Sequence, residues 1–212
     1  MKQSIIITAL FVAACSPSVK VQTSWKNDEQ VKKLQTAVYR NIFIVALTDN
    51  PSNRRMVEED FAAVAAGQGY TPIKSTEALG TAFTSGKPAG TAELIQRAKE
   101  MKTDGILTIA IVHKDAETRH VGSAAYAPYP RFRWYNNFGD YYTQLSGTLY
   151  TSGYYASDKV YYFESNLFDA GTESIIWSAQ SETYNPPDLA SVSKKFAHAM
   201  INQLEKDGLL KR

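Results

Sequence analysis

Cys15 is the one residue whose type and position point directly to chemistry. It is the only cysteine in the 212 residues, so the chain can form neither an internal disulfide nor a thiolate metal cluster. It follows a short start that carries Lys2 and an apolar run from Ile5 to Ala14. This layout is that of a signal peptide. A helix of that length rises only about 15 Å, half of a hydrocarbon core, so we expect cleavage of residues 1–14 rather than a membrane span.

The junction Val12-Ala13-Ala14-Cys15 resembles the bacterial lipobox. The resemblance implies that the thiol of Cys15 receives a diacylglyceryl group and becomes the first residue of a mature lipoprotein with acyl chains such as palmitate. Ser16 follows, which is similar to the class sorted to the outer membrane, facing the periplasm. We expect residues 15–35 to form a lipidated N-terminus and spacer. The alternative is a secreted protein with a cysteine near the cut, or a buried N-terminal helix.

Other reactive constellations are missing from the sequence. It contains no G-x-S-x-G, no H-E-x-x-H and no phosphate-binding G-x-x-x-x-G-K motif. His113 and His120 are an odd number of residues apart, which places them on opposite faces of one strand and disfavours a shared metal. Asp169 opens a predicted turn, where capping of backbone N–H groups explains it better than catalysis. We therefore expect no enzyme, no cofactor and no metal site, with a hydrolase as a lesser alternative.

Charge and composition further narrow the class of protein to which the chain can belong. The formal net charge is +2, without a dense basic run, which disfavours nucleic acid as a partner. Hydrophobic residues make up 44% and charged residues 21%, ordinary values for a globular protein. We expect a single domain over residues 36–212.

Aromatic residues are concentrated in the segment 122–140, where prolines prevent regular structure. We expect an exposed, mobile loop between strands that carries the binding function. Its candidate anchors and cation–π donors are Tyr126, Tyr129, Arg131, Arg133, Trp134 and Tyr135. The partner would be an envelope protein or, alternatively, a carbohydrate such as peptidoglycan, because aromatic faces stack on sugar rings. The competing interpretation is an insertion that folds over its own sheet.

The first half of the domain predicts a β-α-β-α-β order. Apolar runs at 42–47 and 106–112 are typical of neighbouring central strands, with a shorter extended piece at 71–74. A helix should begin at Asn50-Pro51, and a second should cover 91–103. On the first helix, we expect Arg54 with Glu58, and Arg55 with Glu59, to form exposed i,i+4 pairs.

The second half predicts an antiparallel meander and a closing helix. The strands should cover 141–149, 160–169 and 174–184, the last two joined by a hairpin turn at 170–172. The helix should begin within 185–188, turn Lys194, Lys195 and His198 outward, and end at Gly208. The fold class is thus α/β (α+β), one mixed sheet with helices packed on it.

Three segments carry a family resemblance: IFIVALT (42–48), NRRMVEEDF (53–61) and FESNLFDAGTESIIWSAQSET (163–183), together with Trp25. They resemble bacterial lipoproteins that carry a domain of unknown function. The element order is also similar to small α/β domains of outer-membrane assembly lipoproteins, including the curli-secretion lipoprotein and the N-terminal part of the Tol-system periplasmic protein. The resemblance implies a lipid-anchored, non-enzymatic role in the cell envelope, with a periplasmic or outer-membrane partner.

Overall fold

One six-stranded mixed sheet organises the molecule in the computed structural model, which describes residues 19–34, 38–80, 90–115, 137–149, 160–184 and 188–210. The strands are β1 (Val19–Lys26), β2 (Asn41–Leu47), β3 (Thr71–Lys74), β4 (Gly105–Asp115), β5 (Val160–Asp169) and β6 (Ile175–Tyr184). Their order across the sheet is β1-β6-β5-β4-β2-β3. The helices are α1 (Asp28–Lys33), α2 (Pro51–Gly67), α3 (Ser75–Ala78), α4 (Thr91–Glu100), α5 (Phe138–Leu149) and α6 (Ala190–Lys206).

The predicted parallel half is confirmed. β2 pairs in parallel with β3 on one side and with β4 on the other. Residues 42–47 are all buried, as expected of a strand covered on both faces. α2 begins where the sequence predicts, because the Asn50 side chain accepts hydrogen bonds from Ser52 N (2.9 Å) and Asn53 N (3.1 Å) and Pro51 occupies the first turn.

The hairpin and the closing helix are also confirmed. β5 pairs antiparallel with β4 and β6. Asp169 Oδ1 accepts hydrogen bonds from Thr172 N (2.7 Å) and Thr172 Oγ1 (2.8 Å), which is the predicted capping role. α6 begins just after Asp188, and Gly208 adopts a φ of 77° beyond its end, a conformation that favours glycine.

The N-terminal strand β1 lies within the range 15–35 that the sequence analysis assigns to a spacer. It pairs antiparallel with β6, from Val19 opposite Thr183 to Lys26 opposite Trp177, and forms one edge of the sheet. Its alternating start, Val19-Lys20-Val21-Gln22, is the sequence signal for a half-buried strand. The sheet therefore begins only four residues after Cys15.

The predicted strand at 141–149 is wrong, because residues 138–149 form α5. Asn137 Oδ1 accepts a hydrogen bond from Asp140 N (3.0 Å) and so caps the first turn. Phe138, Tyr141 and Tyr142 are buried at helical spacing, i, i+3 and i+4. The end of the segment predicted to be an exposed loop, 122–140, is thus helical and reaches the core at Phe138.

Each face of the sheet has its own apolar core. On one face α2 and α6 pack over β2, β4 and β5, with the Phe196 ring 4.4 Å from Phe163 and 5.4 Å from Phe61 between centroids. On the other face Phe168 contacts Phe138 and Tyr141 of α5, at 5.4 and 5.3 Å. Among the described residues, no helix combines the length and apolar character needed to cross a bilayer.

Candidate functional site

The binding and lipidation residues predicted from the sequence lie outside the described residues: Cys15, Tyr126, Tyr129, Arg131, Arg133, Trp134 and Tyr135. The ends of the intervening segment 116–136 are described. It leaves β4 at Asp115, which is paired with Val160. It rejoins at Asn137, next to Phe138, whose N–H bonds the carbonyl of Glu173 beside the β5–β6 turn (2.8 Å). The segment therefore connects opposite ends of the sheet.

A buried polar cluster lies beside the last residues of β2, where this strand extends beyond the end of β3. β3 ends at Lys74, opposite Ile44, so the backbone of Ala46 has no strand partner on that side. Two side chains of α2 take that place. Glu58 Oε1 accepts a hydrogen bond from Ala46 N (3.0 Å), and Arg54 Nε donates to Ala46 O (3.3 Å). Arg54 Nη2 also donates to Thr48 O (2.6 Å). These side chains continue the hydrogen bonding that a longer β3 would supply.

This cluster corrects a prediction. The pair Arg54 and Glu58 was expected on the exposed side of α2, but their exposed fractions are 2% and 0%. The physical reason is the open edge of β2, whose backbone groups need partners inside the protein. The second predicted pair is also replaced, because Glu59 pairs with Lys74 at 2.5 Å. Lys74 is shared with Glu77 at 2.7 Å, and the hydrogen bonds to these two carboxylates raise its pKa.

A carboxyl group such as that of Glu58 can act as a general acid or base, but this side chain is buried and a substrate cannot reach it. Burial raises the pKa of its carboxyl, although four hydrogen bonds favour the charged form. Besides Ala46 N, the donors are Ser75 Oγ (2.6 Å), Thr76 N (2.9 Å) and Thr76 Oγ1 (2.8 Å). With every donor intramolecular and no exposed surface, the carboxylate ties β2 and α2 to the start of α3. This geometry favours a structural role.

A shallow cavity of about 170 Å³ opens beside this cluster. Its lining residues are Pro51, Arg54, Arg55, Glu59, Lys74, Thr76, Glu77 and Gly80. Pockets for metabolite-sized ligands generally occupy about 300–1,000 Å³. Lys74 and Arg54 are already engaged by carboxylates and carbonyls. The cavity therefore suits solvent or a small ion better than an organic substrate.

A second buried polar group, on β5 and β6, was missed by the sequence analysis. Its members are Glu164, Ser165, Asn166, Ser178, Ser181, Glu182 and Thr183, none more than 7% exposed. Asn166 Nδ2 donates to Glu164 Oε1 (2.7 Å), and Asn166 pairs in register with Thr108 and Ser178. The signal was available, because these strands carry polar residues at both alternating positions, unlike the apolar run 42–47.

Several oxygens of this polar group are buried without a hydrogen-bond partner in the described part of the chain. They are Asn166 Oδ1 and the hydroxyls of Ser165, Ser181 and Thr183. Such atoms are uncommon in folded proteins and are normally satisfied by water or another molecule. Within the described ranges, no set of three His, Cys, Asp or Glu side chains could hold a metal ion.

Comparison with known proteins shows similarity to solved structures at low sequence identity. No protein-family model and no curated protein matches the chain. A PelC dodecamer from Paraburkholderia phytofirmans matches 84% of this chain and 90% of its own, with 13% identity and a TM-score of 0.41. A second crystal form of PelC gives 12% identity and 0.39 over the same shares. Lipoprotein GNA1162 from Neisseria meningitidis matches 79% of this chain and 99% of its own, with 11% identity and 0.40. Similarity at this level concerns the fold alone.

Proposed function

We propose that this chain is a lipid-anchored protein of the cell envelope that binds a periplasmic or outer-membrane partner and does not catalyse a reaction. The lipobox-like junction at Cys15 carries the proposal. The position of β1 supports it, because a folded strand begins at Val19 and leaves only a short connection to the lipid. Each buried methylene of an acyl chain contributes about 0.8 kcal/mol, so two or more chains hold a protein stably on a membrane.

Replacement of the thiol tests the anchor. In cells fed a fatty-acid analogue, the protein should be labelled, and Cys15→Ala should abolish the label and leave precursor or a mislocalised protein. Ser16→Asp is the matched control: it keeps the thiol, so labelling should persist while the protein moves toward the inner membrane. A Cys15→Ala protein that is still labelled and still fractionates with the outer membrane would show that the lipobox interpretation is wrong.

Partner binding is assigned to the aromatic segment. Tyr126, Tyr129, Trp134 and Tyr135 would supply apolar contact area, and Arg131 and Arg133 would add charge. Tyrosine, tryptophan and arginine dominate the energetics of protein interfaces. Photo-crosslinking in live cells from positions 126, 129 and 134 should recover an envelope protein. Failure to recover one from any of these positions would count against the proposal.

The geometry of the segment's ends determines how its removal should be designed. Asp115 and Asn137 lie at opposite ends of β4, whose 11 residues span roughly 35 Å. A short linker would strain the sheet, so the four aromatic anchors should be changed to serine at constant length. The proposal expects loss of crosslinking with little change in melting temperature. A large fall in melting temperature would instead show that these rings belong to the core.

A carbohydrate-binding lipoprotein is the second candidate, favoured by the same aromatic composition. Co-sedimentation with purified peptidoglycan separates the two. Binding that is lost in the four-serine variant, together with an absence of crosslinked protein, would favour the glycan. Crosslinked protein without sedimentation would favour the protein partner.

A further inference from the structure

We propose that the domain stands on the bilayer with one particular end of its sheet facing the lipid. This inference rests on the proposed lipidation of Cys15. The tether end of the sheet is defined here by the strand termini Val19, Leu47, Lys74, Asp115, Val160 and Tyr184. The opposite, hairpin end holds Lys26, Asn41, Thr71, Gly105, Asp169 and Ile175. The occupant of the tether end is the membrane that holds the protein's own anchor.

Strand pairing brings the members of the tether end together. Val19 is opposite Thr183, and Val160 is opposite both Asp115 and Tyr184. β2 and β3 run parallel to β4, so their last residues point the same way as Asp115. The strand that follows the anchor thus begins at the end where the three parallel strands finish.

The length of the connection fixes which end can meet the membrane. Cys15 and Val19 are separated by four residue steps, which reach at most roughly 14 Å when fully extended. The far end of β1 is seven steps further, roughly 23 Å away, and β4 extends for roughly 35 Å. The tether end therefore stays close to the lipid in every extended or folded state of the connection.

Helix direction favours an upright stance over one in which the β1 edge lies flat. α2 and α6 follow strands that finish at the tether end, and α4 ends just before β4 begins, so these three helices have their N-termini toward the tether end. α1 and α5 begin at the hairpin end and point the opposite way. A helix N-terminus carries about half a positive charge, which is favourable beside lipid phosphates.

Energy transfer to the membrane surface tests the stance. The lipidated full chain, with a donor dye at one introduced cysteine, is placed in vesicles of phosphatidylethanolamine and phosphatidylglycerol that carry a headgroup acceptor. Three exposed positions are used: Lys20→Cys at the tether end, Asp28→Cys beyond the far end of β1, and Arg40→Cys at the hairpin end before β2. Because all three side chains are exposed, melting temperatures should match that of the parent, which verifies folding.

The upright stance expects the highest transfer at position 20 and lower, similar transfer at 28 and 40, because both of these positions lie at the hairpin end. Equal transfer at 20 and 28 would show a domain lying on its β1 edge, and equal transfer at all three would show free rotation; either result overturns the proposal. A labelled protein that fails to float with the vesicles overturns the lipidation of Cys15 and the stance with it. A floating protein with a different order overturns the stance alone.

Discussion

The two halves of the sheet bury polar residues in different ways. In the parallel half, Arg54, Glu58 and Ser75 gather at one open strand edge and bond to the backbone or to one another. In the antiparallel half, buried polar residues are spread along both faces of β5 and β6, and several of their oxygens have no partner among the described residues.

The polar cluster around Glu58 has a structural role, whereas the buried polar residues of β5 and β6 are incompletely hydrogen-bonded within the described chain. A buried carboxylate with four donors replaces missing strand hydrogen bonds and has no capacity left for a ligand. Buried hydroxyl and amide oxygens without partners cost free energy that the folded domain must recover elsewhere. A search for further binding groups in the described chain should therefore begin on β5 and β6 rather than at Glu58. Four substitutions test this contrast.

The largest effect is expected where the halves meet. Phe196 of α6 contacts Phe61 of α2 and Phe163 of β5. Phe196→Ala should lower the free energy of unfolding by about 3–5 kcal/mol, because it removes a buried ring and leaves a cavity. Chemical denaturation measures this loss. His198→Ala, on the exposed side of the same helix, should change stability by no more than about 0.5 kcal/mol. Similar losses for both variants would contradict the packing described.

The next largest loss of stability is expected for Glu58 in the parallel half. Glu58→Gln replaces one carboxylate oxygen with an amide nitrogen. Each oxygen accepts two of the four hydrogen bonds, so the substitution removes two of them. We expect a loss of about 1–3 kcal/mol in the free energy of unfolding. Glu59→Gln, on the exposed face of α2, should lose less, because its ion pair with Lys74 is at the surface.

The dependence of this loss on pH follows from the raised pKa of Glu58. Between the unfolded value of 4.5 and the higher folded value, the folded state binds more protons. The contribution of Glu58 to stability is therefore fully present below 4.5 and declines as pH rises through the folded pKa. The cost of Glu58→Gln should be largest in acid and smaller at neutral pH. A cost that grows with pH would show that the four hydrogen bonds outweigh burial.

A smaller effect is expected in the antiparallel half. Asn166→Ala removes the amide that donates to Glu164, which destabilises, but it also removes a buried oxygen without a partner in the described structure, which stabilises. The two effects partly offset, so we expect a net loss of about 1 kcal/mol. Thermal unfolding at fixed pH measures it. A loss as large as that of Phe196→Ala would mean that Asn166 Oδ1 is bonded in the folded protein.

The smallest effect is expected for a hydroxyl. Ser165 Oγ is buried and has no hydrogen-bond partner among the described residues. Ser165→Ala removes that unsatisfied group at nearly constant volume, so stability should stay within about 0.5 kcal/mol of the parent or increase. A clear loss in denaturant midpoint would reveal a bound water or ligand at this hydroxyl. Together, these substitutions separate polar groups that the fold satisfies from those that it does not.

The features that sequence could predict depend on local patterns. The uninterrupted apolar run 42–47 is typical of a strand buried on both faces, and Asn50-Pro51 favours a helix start through side-chain capping and a preset φ. Asp169 was predicted to cap its turn for the same local reason. These interpretations required no knowledge of distant contacts, and the structure confirms them.

The features that sequence could not predict depend on what the chain meets in space. Arg54 and Glu58 have the spacing of an exposed helix pair, and only the early end of β3 draws them inward. The segment 141–149 is rich in residues that favour strands, but the spacing of Phe138, Tyr141 and Tyr142 against Phe168 makes it a helix. The predicted lipidation and binding residues lie outside the described residues, so those assignments stay predictions.

The pairing of the first strand with the last part of the chain has a consequence for how the domain acquires its structure. Lys26 Nζ bonds to Asp207 O across a separation of 181 residues, and Gln203 bonds to Ser24 across 179. A chain that emerges with its N-terminus first must keep β1 unpaired until β6 and α6 have followed. Contacts so distant in sequence carry a high loop-closure cost and form slowly. We therefore expect closure of this edge to be a late folding event, in which the first strand of the chain is the last to pair.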